Sequence, residues 1–139
     1  MICSLFGHRD APETIKSTLK TILLDLIENK NVNIFYVGNN GSFDRITRAL
    51  LKELKKAYKI NYYVVLAYIP QIRDDEDYTD SIYFDELNSK PYKTRIIERN
   101  KIMINKADIV VTYVTHITGG ASRFKDYAIR KNKIVINIS

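Results

Sequence analysis

The chain is short of several residue types, and each shortage removes a class of protein. One cysteine, Cys3, stands in 139 residues, so no internal disulfide can form, and no Cys/His cluster is present to hold zinc. Only 5 Gly and 3 Pro occur, which excludes collagen-like and low-complexity chains. Every apolar run breaks well before the roughly 18 residues that a membrane span requires. The opening MICSLFGHRD places no basic region ahead of its short apolar run, unlike a secretory signal. These absences set the expectation of a cytoplasmic protein with no membrane partner, no metal and no cofactor.

What is present is the mixture of a globular protein, 45% hydrophobic and 27% charged. At this length a second core would leave each half too small to bury enough surface, so residues 1–139 are read as one domain. The formal charge is +6, which raises nucleic acid as a partner. Its distribution argues against that. The acids Asp74, Asp75, Glu76, Asp77, Asp80, Asp85 and Glu86 concentrate in 73–86 against one base, Arg73. The bases elsewhere spread over helical surfaces such as KELKKAYK and IRKNK, where they mainly keep a protein solvated. Positive charge also suits a small anionic ligand, and nucleic acid stays the lesser expectation.

Two periodicities alternate along the chain. Apolar runs at Ile2–Phe6, Asn33–Val37, Tyr62–Ile69, Asp108–Val114 and Lys133–Ile138 read as strands. Between them, apolar residues at helical spacing mark helices from about Pro12 to Glu28, Ser42 to Tyr58, Lys93 to Lys106 and Ser122 to Lys131. Pro12 fits the first turn of its helix, where its missing N–H would have had no partner. Ser81–Phe84 is a short strand or turn within an otherwise aperiodic acidic excursion. Strands apolar on both sides and separated by helices imply an α/β fold: a Rossmann-like three-layer sandwich with a mostly parallel sheet of about five strands.

In such a sheet, ligands gather at the carboxyl ends of the strands, which singles out three loops. The turn running through Gly119, Gly120, Ala121 and Ser122 lets backbone approach a ligand, and the free N–H groups of a helix start favour an anion. Ser122 could cap that helix or bond a phosphate oxygen. Gly38-Asn39-Asn40-Gly41 has the same strand–turn–helix setting; Asn amides can bond ribose, base or phosphate, although Asn-Gly is also plain turn chemistry and Ser42 or Asp44 could merely cap the helix. It matches neither G-x-G-x-x-G nor G-x-x-x-x-G-K-[ST]. Gly7-His8-Arg9 ends the first strand. Arg9 offers a forked cation suited to phosphate, while His8 is a hydrogen-bond partner, a proton carrier or a packing residue. His116, beside the Gly-Gly turn, is equally open. Arg99 and Asp126 lie on the last two helices; by spacing alone they are two charged surface residues.

Three segments together resemble the SLOG superfamily, a Rossmann-like group that includes YpsA-like proteins and the LONELY GUY phosphoribohydrolases once labelled lysine decarboxylases. The first is Ser4-Leu5-Phe6-Gly7-His8-Arg9; the second is Gly38…Gly41-Ser42-Phe43-Asp44. The third is Arg99-Asn100-x-x-Met103, then Ala107-Asp108-Ile109-Val110-Val111, Gly119-Gly120-Ala121, and Asp126-Tyr127-Ala128. This order is similar to the R-N-x-x-M helix, apolar strand, W-G-G-A-type turn and E-Y-A helix of YpsA-like sequences. The likeness covers most of the chain and is weakest over 71–90.

The resemblance implies a pocket for a nucleotide or nucleotide-derived ligand, with phosphate at the Gly-Gly turn and a homodimer or higher homo-oligomer. It also implies a role in signalling or phage defence, since some SLOG domains are attached to effectors that detect cyclic nucleotides. In the phosphoribohydrolase branch, P-G-G-x-G-T-x-x-E follows an R-K-x-x-M helix, which places Arg99 on the catalytic arginine and Asp126 on the glutamate. The departures are Thr118 for proline, Ser122 for glycine, Arg123 for threonine, Asn100 for lysine and the shorter Asp126. A carboxylate retracted by about one bond can cost about a hundredfold in rate, so these changes hurt catalysis more than binding. The leading expectation is therefore a binding or sensing module. A hydrolase of the base–ribose bond using Arg99 and Asp126 is the alternative, and interaction with nucleic acid or protein the third.

Overall fold

The computed structural model describes residues 1–70, 77–116 and 119–138. Six strands form one sheet: β1 (Ile2–Gly7), β2 (Ile34–Val37), β3 (Asn61–Val65), β4 (Ser81–Ile82), β5 (Ile109–Tyr113) and β6 (Ile134–Ile138). Four helices connect them: α1 (Lys16–Asn29), α2 (Ser42–Lys55), α3 (Arg95–Lys106) and α4 (Gly120–Arg130). The strand order is β4-β3-β2-β1-β5-β6, and every neighbouring pair is parallel. The expected α/β sandwich is the observed one, with a sixth strand supplied by the two-residue β4.

Alternation along the strands divides the core between two layers. Cys3 and Leu5 of β1, with Ile109 and Val111 of β5, pack with Leu19, Leu23 and Leu26 of α1 and Ile46, Leu50 and Leu54 of α2. The intervening Phe6 and Val110 pack with Met103 and Ile104 of α3 and Phe124 and Ala128 of α4. Strands covered on both faces have no polar side, which is why they read as continuous apolar runs. Ser4, on the α3 side, meets its polar obligation by donating to the Met103 carbonyl at 2.8 Å. Burial pushes the Cys3 thiol far above its ordinary range, so it is an apolar packing group rather than a nucleophile.

One strand, β3, ends well short of the sequence reading. β3 ends at Val65, although Leu66 stays buried with its N–H donating to the Ile82 carbonyl at 2.8 Å; the chain bends at Ala67 and Tyr68, ahead of exposed Ile69. β4 falls within the Ser81–Phe84 segment that the sequence marks as a short strand or turn. Asp80 anchors it: Arg48 of α2 holds both carboxylate oxygens, at 2.7 and 2.8 Å, and the Tyr62 hydroxyl donates to it at 2.8 Å. This paired charge covers the edge beside β3. The expected acids Asp74, Asp75 and Glu76, like Thr118 of the Gly-Gly turn, lie outside the described residues.

The order reverses between β1 and β5: the chain works outward from β1 to β4, then returns to β1's other side for β5. A cleft opens at the carboxyl ends of strands at such a reversal. No described helix is long and apolar enough to cross a membrane.

Candidate functional site

A cleft of about 290 Å³ lies at this reversal. The β1 loop contributes Gly7, His8, Arg9 and Asp10, and the β2–α2 turn contributes Gly38, Asn40 and Asp44. Helix α3 adds Ile96, Arg99 and Asn100, and α4 adds Gly120, Ala121 and Phe124. The three loops selected from sequence thus meet in one place.

Arg99 forms part of the wall. Only 2% of it is exposed, making it the largest fully buried side chain among the described residues. Its Nε donates to Asn100 Oδ1 at 2.7 Å, and its Nη1 donates to the Val65 carbonyl at 2.9 Å and to Asn39 Oδ1 at 3.2 Å. The Asn40 amide is satisfied with its oxygen toward Arg99, accepting from Nη2 at 3.1 Å while its nitrogen donates to the Asn39 carbonyl at 3.2 Å. All these acceptors are neutral oxygens. They hold the guanidinium in one geometry without themselves cancelling its charge, which Asp44 opposes in part. Burial lowers the Arg99 pKa, against the opposing pull of Asp44, yet an arginine stays protonated throughout the physiological range.

Asp44 is the carboxylate of this cleft. It sits in the first turn of α2, 8% exposed, and accepts from the Asn40 backbone N–H at 2.9 Å. Burial raises its pKa to about 6, opposed by that N–H, by Arg99 and by Arg9. Gly38 leaves room for this arrangement: a Cβ there would lie 2.7 Å from Asp44 Oδ2 and 3.2 Å from Arg99 Nη2. Gly7 serves packing in the same way, since a Cβ would run into the Phe43 ring. These two glycines make space for the protein's own side chains.

At the opposite wall, α4 begins at Gly120 after an N-cap Gly119 with φ 99° and ψ 177°, and no side chain caps it. Among the described residues, a Cβ at Gly119 or Gly120 would meet nothing within 4 Å. The first-turn N–H groups of a helix have no partner within it, and here Gly120 and Ala121 present that end to the cleft. Arg9 hangs over the same space. Its backbone carbonyl accepts from the Ser42 N–H at 2.8 Å, and Ser42 Oγ donates to the Ala11 carbonyl at 2.7 Å, so the β1 loop is fastened to the start of α2.

His8 is held by its backbone and its ring. Its ring Nε2 accepts from the Thr115 N–H at 2.9 Å, which puts the proton of the neutral ring on Nδ1. Burial first, and then the adjacent His116, lower its pKa; the two rings lie 4.7 Å apart. His116 touches His8 and does not itself line the cleft.

Asn39 stands behind the wall, holding Arg99. Ser122 is buried in the first turn of α4 and does not line the cleft. Asp126, paired with Arg99 in the sequence reading, is exposed on α4 and is not brought to the cleft. Asp44 of α2 stands beside Arg99 instead. Phe6, Ile96, Asn100 and Phe124 line the cleft beyond the residues that the sequence singles out for it, and Asp10 closes the first selected loop. Asn100 was the one with a signal, as the partner of Arg99 in the Arg-Asn dipeptide. No group of three or more His, Cys, Asp or Glu among the described residues is placed to hold a metal. No protein-family model matches this chain, and no curated protein matches it either.

Proposed function

We propose that this protein binds or senses a nucleotide or nucleotide-derived phosphorylated ligand in the cleft between β1 and β5. The observation that carries the reading is Arg99, a buried cation bonded to neutral oxygens and facing an uncapped helix start across the cleft. The charge of a guanidinium in the wall and the exposed amide hydrogens both favour phosphate oxygens over neutral groups. Arg9 adds a second cation, and the resemblance to the SLOG superfamily points to the same ligand class. Two acids, Asp10 and Asp44, also line the space, so the attraction is local to the Arg99 and α4 walls rather than general.

Thermal melts against nucleoside monophosphates and diphosphates, ADP-ribose derivatives and cyclic dinucleotides test this. A ligand at about a hundred times its Kd stabilises the native state by about 2.7 kcal/mol, and the shift saturates. A flat response across the whole panel overturns the reading.

One observation favours hydrolysis of the base–ribose bond as a second reading. The Asp44 carboxyl, with a pKa raised to about 6, is poised to exchange a proton near neutrality. On this reading Asp44 supplies the carboxylate in place of Asp126. Chromatography would detect free base released from a nucleotide, lost in Asp44→Asn and kept in Asp126→Asn. Equal turnover in Asp44→Asn and the unchanged protein would remove Asp44 from that role.

A further inference from the structure

An aromatic patch adjoins the cleft on the side away from α4. Tyr92 is 70% exposed and Ile69 67%, both unusual for large apolar residues. The Tyr68 and Tyr92 rings lie 4.6 Å apart, and the Tyr68 hydroxyl donates to the Tyr92 carbonyl at 2.9 Å. That bond ties the segment after β3 to the 3-10 turn (Tyr92–Thr94) that leads into α3. Tyr92 sits in the turn that leads into α3, the helix that carries Ile96 and Arg99. Ile96 and Arg99 both line the cleft. Tyr68 is also among the groups that bear electrostatically on Arg99.

The sheet order sets the distance between this patch and the phosphate wall. Helix α4 leaves β5, whereas Tyr68 follows β3, with β1 and β2 between them. Three strand spacings come to roughly 14 Å. No single phosphate touches both ends; a ligand that does must carry its anion on a spacer attached to something flat and apolar.

We propose that Tyr92, braced by Tyr68, is a stacking platform for the planar base of the ligand, with the start of α4 at its phosphate end and Arg99, held by the end of β3 and the β2–α2 turn, between them. The proposal rests on the nucleotide reading of the cleft and assigns the base to a particular surface. An aromatic face takes any base, since every base presents a π-surface. The ring is held in place before ligand arrives, which limits the ordering cost of binding.

Calorimetric titration of ribose 5-phosphate and of AMP, GMP, CMP and UMP separates the two ideas. Stacking predicts that the monophosphates bind roughly five- to a hundredfold tighter than ribose 5-phosphate. Tyr92→Ala is then expected to bring them down to the ribose 5-phosphate level while leaving ribose 5-phosphate itself unchanged, and Tyr92→Phe to retain the preference. Truncating so exposed a side chain should leave the fold intact, checked by its melting temperature. Equal binding of ribose 5-phosphate and the monophosphates overturns the platform and leaves the phosphate reading standing. A Tyr92→Ala loss that falls equally on both kinds of ligand also overturns it. Failure of every compound to bind overturns both.

Discussion

Two strand-to-helix turns of this protein have nearly the same backbone and opposite surroundings. Gly41 before α2 has φ 93° and ψ −173°; Gly119 before α4 has φ 99° and ψ 177°. At the first, the chain fills its own site. Asp44 turns back to accept from Asn40, Arg99 is wedged against Gly38, and Arg9 packs over Gly41 so closely that a Cβ would come within 2.6 Å of its Cα. At the second, no described residue lies within 4 Å of a Cβ built on Gly119 or Gly120. A helix start with its own carboxylate has spent its attraction for anions; one without still has it. The comparison teaches that the α2 turn builds the wall and the α4 turn leaves the vacancy.

Removing the wall's cation should produce the largest effect. Arg99→Ala leaves Asn39, Asn40, Asn100 and the Val65 carbonyl short of a donor and opens a cavity, at a cost of about 3–5 kcal/mol. Chemical denaturation would show it, and a loss below about 1 kcal/mol would mean that Arg99 does not organise the cleft.

The two glycines themselves come next. Both occupy a backbone region that is essentially glycine-only, so Gly119→Ala should cost about 1–3 kcal/mol in strain. Gly41→Ala carries the same strain plus a collision with the Arg9 backbone, and its melting temperature should fall further. Equal losses in the two variants would erase the asymmetry.

Asp44 gives the comparison a pH signature. Its native pKa of about 6 lies above the ordinary 3.8, so between these values the native state holds a proton that the unfolded chain has released. Its contribution to stability is complete below about pH 4 and is lost as pH rises through about 6. His8 acts in the opposite sense: its lowered pKa makes stability grow as pH rises toward the ordinary histidine value. Melting temperatures from pH 4 to 7 should therefore climb more steeply in Asp44→Asn than in the unchanged protein. Parallel curves would show that Asp44 titrates as an ordinary carboxylate.

The smallest effect is expected at Asp126. Exposed and off the cleft, its change to Asn should move stability by no more than about 0.5 kcal/mol and leave ligand-induced stabilisation as it was. A lost ligand response would bring Asp126 back to the site.

Much of this organisation was legible in the sequence. The strand–helix alternation announced itself because residues buried on both sides of a sheet, such as Val110 and Val111, must all be apolar. The three loops followed from the rule that links strand ends to ligands. Asp44 was readable only as a helix cap or ligand contact, because its acidity depends on burial by groups distant in sequence. Asp126 misled because an acid at the right interval after a Gly-Gly turn does not say which face of the helix it occupies.

The order of apolar and polar residues thus settled by itself that this chain builds a parallel sheet between two helical layers, since local periodicity is carried by neighbours a few residues apart. Which acid stands beside Arg99, which glycine turn is filled and which is open, and that Tyr68 meets Tyr92 were decided only in the tertiary structure. Each depends on groups brought together from separate strands and helices, and burial and electrostatic neighbourhood are properties of that assembly.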